Sequence, residues 1–187
     1  MWQSVPMRFL PAQVELNNRI RSILMNHNRW IRSLITRIVF NIDSNAQAIV
    51  QQRLDKISND FEELFAQYYG EETAKRIQEL YIRYTQAVAA MAHEYRENDA
   101  QGATEQRNIL YGTADDISHL ASSINRFWDF AIMQSILREL VNTTEDQIIS
   151  IIGSNFIEDA DKYDSFMDQA ARLADEMTYG MLKQFHM

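Results

Sequence analysis

The chain contains no cysteine, which excludes disulfides, thiol nucleophiles, iron–sulfur clusters and thiolate zinc sites together and leaves the redox compartment open. Glycine and proline are scarce, at five and two of 187 residues, so tight turns must be few and connections short. No window approaches the roughly 18 uninterrupted apolar residues of a membrane-spanning helix. The opening MWQSVPMRFLPAQ lacks the basic segment and apolar core of a secretory signal. We therefore expect a soluble, cytoplasmic protein without a transmembrane segment. Positive charge is also in deficit: the formal net charge is −8, whereas general nucleic-acid binding needs a basic surface to neutralise phosphate. Nucleic acid is not an expected partner.

What is present is apolar and periodic. Hydrophobic residues make up 46% of the chain and charged residues 24%. A single domain of this size buries about two thirds of its unfolded surface, so neither metal nor disulfide is required for stability. We expect one helical domain over residues 1–187, with 1–11 as an N-terminal extension.

Apolar residues recur at spacings of three, four and seven, the period of a helix rather than the alternation of a strand. The first helix is expected from about Pro11, a favoured first-turn residue, to Ile42, with Ile20, Ile23, Leu24, His27, Ile31, Leu34 and Ile38 on one face. Asp43 or Ser44 caps a second helix, which ends at Gly70 in YYG. A third carries Ile77, Leu80, Tyr81, Tyr84, Val88, Met91 and Tyr95. ENDAQGAT then interrupts the pattern, with Thr104 as the expected cap of a fourth helix, and SSINRFW reads as the next turn. A fifth helix is expected over about 127–141. In NTTEDQ, Thr143 or Thr144 would cap a short sixth helix ending near Gly153, before a long acidic helix over about 156–185. The expected fold is an all-α antiparallel bundle of six to seven helices.

A longer period overlies the helical one. Ile20, Ile23 and Leu24 stand seven, four and three places before His27; Ile77, Leu80 and Tyr81 do so before Tyr84, and Met133, Ile136 and Leu137 before Leu140. In SNDFEEL and ADDISHL, Asp60 and Asp116 are each followed by an apolar residue and, four positions on, by Leu; LADEM around Asp175 is the third counterpart. Three repeated helical hairpins around one core would bring His27, Tyr84 and Leu140 together. Histidines at all three positions would suit a metal, because facing bundle helices can aim imidazoles at one point. One histidine, one tyrosine and one leucine are a poor ligand set. His27 is therefore expected to be a core residue with a buried hydrogen-bond partner.

Other constellations carry less. Asp115 and His119, four apart in DDISH, suit a side-chain contact better than metal ligation. Asp60, Asp116 and Asp175 could orient His27 in the manner of acids behind a ligand, although capping or solvation is the plainer role. The paired Glu-x-x-His motifs of di-iron bundles are absent, as are P-loop, GxSxG and HExxH patterns. No catalytic residue is assigned. The aromatic run FWDF, from Phe127 to Phe130, reads as core and turn contacts, and the nine Met and eight Tyr as ordinary interface filling. Residues 1–42 hold six Arg against one Glu, whereas 143–187 hold nine acidic side chains against three basic ones. The first and last helices should therefore lie side by side.

ILMNHNRWIR resembles a motif of a family of small all-helical bacterial proteins of unassigned function. That motif runs from a leucine-rich stretch to His, Trp three residues later, then Thr-Arg; this chain keeps His27, Trp30 and Arg32 and has Ile31 in place of Thr. RLDKISNDF (53–61), YYG (68–70), LYGTADDISHL (110–120) and LADEMTYGMLKQF (173–185) extend the resemblance from Leu24 to Phe185. The resemblance implies histidines at the other two repeat positions, occupied here by Tyr84 and Leu140, so any metal site of the family does not carry over intact.

The expected function is a non-catalytic bundle acting through a small ligand or a protein partner, without cofactor, with a central pocket drawn from His27, Trp30, Tyr84, Leu140, Asp60, Asp116 and Asp175. One alternative is an iron, zinc or manganese protein of the DinB or hemerythrin type with His27 as a ligand. Another is an anion or membrane-surface binder using Arg19, Arg21, Arg29, Arg32 and Arg37.

Overall fold

The computed structural model describes residues 11–187; the expected N-terminal extension lies outside them but for Pro11. Six helices fill this span: α1 (Pro11–Val39), α2 (Ser44–Tyr69), α3 (Glu71–Arg96), α4 (Ala100–Ile124), α5 (Phe130–Ile152) and α6 (Phe156–Phe185). The protein is an all-α bundle, and none of the described helices is long and apolar enough to cross a membrane.

The boundaries follow from side chains that compete for terminal backbone groups. Asp43 accepts from the Asn45 amide at 3.0 Å, Asp99 from Gly102 at 2.8 Å and Asp129 from Ile132 at 3.0 Å. Thr104 is therefore not the cap of α4: it lies inside the helix and donates its hydroxyl to the Ala100 carbonyl at 2.8 Å. The expected break at Thr143 and Thr144 is likewise absent. Both are buried within α5 and donate to the Glu139 and Leu140 carbonyls at 3.0 and 2.8 Å. A hydroxyl satisfied by the preceding turn has no need to end a helix.

A single residue, Gly70, separates α2 from α3. Its φ of 84° places it where a side chain would be strained, and its amide still reaches the Ala66 carbonyl at 3.2 Å. The α1–α2, α3–α4 and α5–α6 turns share one design. Asn41, Asn98 and Ser154 take left-handed conformations two residues after α1, α3 and α5, and in each case the next amide returns to a carbonyl five residues back, at 2.9 Å. These three residues are separated by 57 and 56 positions, the steps that separate His27, Tyr84 and Leu140.

Helices α1, α3 and α5 pack against one another. Around them α2 lies on α1 and α3, α4 on α3 and α5, and α6 on α5 and α1. Short links make each successive pair antiparallel. The core holds fully buried Ile20, Ile31, Leu64, Leu80, Ile136 and Phe166. Each such side chain contributes about 1.5–3 kcal/mol by leaving water. The acidic α6 does lie along α1, where Arg21 meets Asp175 at 2.5 Å and Arg32 meets Asp159 at 2.5 Å; Arg19 pairs with Glu63 of α2 at 3.0 Å. Three of the five arginines are thus neutralised within the fold.

Candidate functional site

Where the three inner helices meet, the apolar stripes leave a gap. The cavity measures about 110 Å³ and takes wall residues from all six helices, including His27 of α1, Tyr81 and Tyr84 of α3, and Met133 and Leu140 of α5. Phe61 and Phe65 of α2, Ala114 of α4 and Phe166 and Met177 of α6 close its sides, and Trp128 enters from the α4–α5 link. Among the described residues no charged side chain lines it.

His27 is 9% exposed. Its Nδ1 lies 3.1 Å from the Tyr81 hydroxyl, and its ring sits 5.2 Å from the Tyr81 ring and 5.7 Å from that of Tyr84. Burial disfavours the imidazolium and lowers the His27 pKa from 6.5 to about 4, so the ring is neutral near pH 7. Burial likewise raises the Tyr81 phenol, with the neighbouring Tyr84 adding to the effect. It pushes Tyr84 up to about 12 against a smaller opposing effect of its hydrogen bond to Thr144. Tyr84 is half-buried and lines the cavity. Its hydroxyl lies 3.3 Å from Thr144 Oγ1. Because the Thr144 proton is directed to the Leu140 carbonyl at 2.8 Å, Tyr84 is the donor of that pair.

His27, Tyr84 and Leu140 therefore line one cavity. The other expected pocket residues do not. Trp30 is half-buried outside it, with the Arg53 guanidinium 5.9 Å from its ring. Asp60 is half-buried on α2, Asp116 pairs with Arg83, and exposed Asp175 pairs with Arg21. The cause is helical geometry: successive residues point about 100° apart, so Phe61 and Ile117 reach the cavity while the preceding Asp60 and Asp116 are turned away. Asp115 and His119 take different partners. Asp115 accepts from Arg138 at 2.8 and 2.6 Å, a contact that holds its carboxyl below the usual range, and His119 stacks on Phe130 at 4.3 Å. Among the described residues no three His, Asp or Glu side chains are grouped as a metal site would need.

Several wall residues were not singled out by the sequence. Tyr81 was legible only as a member of the α3 stripe, and its role as the His27 partner depends on which turn of α3 faces α1. Asn28, next to His27, is buried and donates to the Phe166 carbonyl at 2.8 Å, tying α1 to α6. Trp128 donates its indole N–H to the Glu176 and Met177 carbonyls, both at 3.2 Å. That approach requires Gly180, where a methyl group would overlap the indole. No family model matches this chain, and neither a curated protein nor a solved structure does so.

Proposed function

We propose that this protein is a non-catalytic binding module whose central cavity takes a small, largely apolar molecule. The observation that carries the reading is the unfilled space of about 110 Å³ at the junction of all six helices, walled by aromatic, aliphatic and methionine side chains. Interiors normally close to the density of organic crystals, and a gap of this size forfeits dispersion contacts around its whole lining. A dry cavity of about 150 Å³ in another protein core takes up benzene, so the volume suits a ring of five or six atoms or an equivalent branched chain. The packing of the inner helices supports the reading, since each of α1, α3 and α5 turns a side chain, His27, Tyr84 and Leu140, toward the same space.

Met133 and Met177 on the wall provide the test. Protein carrying ¹³C-methyl methionine is titrated with benzene and with cyclohexane while the methionine methyl signals are followed. Saturable shifts confined to Met133 and Met177, and their loss in Ala114→Leu, which fills the cavity from α4, are the expected result. Unchanged methionine signals at millimolar probe would overturn the reading.

A further inference from the structure

The cavity is not uniformly apolar, because an imidazole edge opens onto it. His27 is nine-tenths buried and lines the space, and its Nδ1 is taken by Tyr81. Among the described residues its Nε2 has no hydrogen-bond partner, and it is not among the polar atoms sealed away without one. It follows that Nε2 meets the cavity itself. The direction of the Tyr81 contact then decides what this nitrogen offers. A phenol O–H is a stronger donor than a neutral imidazole N–H, and an imidazole nitrogen is a stronger acceptor than a phenol oxygen. Tyr81 therefore donates to Nδ1 and leaves the ring proton on Nε2. The Tyr84 hydroxyl proton is already spent on Thr144.

We infer that His27 Nε2 is a hydrogen-bond donor awaiting a ligand oxygen, and that the cavity is built for a small uncharged molecule whose apolar body carries one acceptor, such as a ketone, ether or ester. The inference rests on the cavity being a binding site and adds the class of molecule it takes. Charge in the ligand is disfavoured because the described lining supplies no countercharge: a carboxylate would meet only the neutral His27 and Asn28 side chains among rings and methyl groups. A hydrocarbon of the same shape would fill the space but leave the N–H unmet, which costs about the worth of one neutral hydrogen bond.

The test uses two probes of nearly equal shape, cyclohexanone and methylenecyclohexane, titrated into the full chain with the Met133 and Met177 methyl signals as readout. Imidazole ¹⁵N shifts are recorded alongside. The ketone is expected to bind roughly five- to ten-fold more tightly, with the ¹⁵N spectrum showing the proton on Nε2 and a shift of that signal on ketone addition. In His27→Phe the preference should collapse to near unity while both probes still bind. Equal affinity of the two probes for the native chain, or a proton on Nδ1, would overturn the inference while leaving the cavity a binding site. Binding of neither probe would overturn both readings. Should His27→Phe not fold, the probe ratio and the ¹⁵N spectrum of the native chain decide the matter alone.

Discussion

Helix α1 carries two polar side chains five residues apart, half-buried Arg32 and buried His27, in opposite circumstances. Arg32 is held by a bidentate contact with Asp159 of α6, at 2.6 and 2.5 Å, and stacks on Tyr163 with 4.6 Å from guanidinium to ring centre. Gln147 of α5 approaches the same guanidinium at 3.4 Å. His27, one and a half turns earlier, has one nitrogen engaged and the other facing open space. The first region is closed: its polar groups are matched within the protein, and it joins α1, α5 and α6. The second is incomplete. Cavity surface forfeits dispersion contacts, so the region around His27 gives up stability and leaves room for something else to bind.

That contrast can be broken from either side. The largest effect is expected from Asp159→Ala, which strands a partly buried guanidinium; unfolding by urea should show a loss of about 3 kcal/mol or more. A comparable but pH-dependent effect belongs to His27. Its folded pKa is lowered to about 4 from 6.5, so below pH 6.5 the unfolded chain takes up a proton that the folded chain refuses. The stability is complete above that pH, declines as pH falls toward 4 and falls no further from this cause below it, the total being at most about 3 kcal/mol. Native chain and His27→Phe, compared by urea unfolding between pH 7 and 4, should converge or cross by that amount as pH drops. A constant difference would place the imidazole in contact with water.

Gly180→Ala is expected to come next. The added methyl pushes the Trp128 indole from the wall of the cavity, for a loss of about 1–3 kcal/mol, visible in thermal unfolding and in the tryptophan emission maximum. The smallest effect sharpens the comparison by control. Asp175→Ala removes an exposed partner of Arg21 and should change stability by no more than about 1 kcal/mol, less as salt is added.

Much of the architecture was readable from spacing. The long α6 falls where its stripe predicted, α2 stops at Gly70, and Asp43 caps α2. Errors came where local chemistry was ambiguous. Threonine is both a good cap and a tolerable helix residue; at Thr143 and Thr144 the choice was made by neighbours that buried the side chain, and at Thr104 by a better cap, Asp99, five residues upstream. The aspartates failed for a different reason. Asp60, Asp116 and Asp175 each adjoin core positions in sequence, but adjacency along a helix is not adjacency in space, and the true companions of His27 were the phenols of α3.

The order of apolar and polar residues determined by itself that the chain would be helical, where most helices would begin and end, and that His27, Tyr84 and Leu140 occupy equivalent places in their stripes. Those are consequences of a 3.6-residue period and of side chains acting within a turn or two. Only the assembled bundle decided that the three stripes would meet short of full contact, that Tyr81 would take one imidazole nitrogen, and that the other would face a void. Such outcomes depend on distances between helices set by every wall residue at once, from Phe61 to Trp128, and no local pattern encodes them.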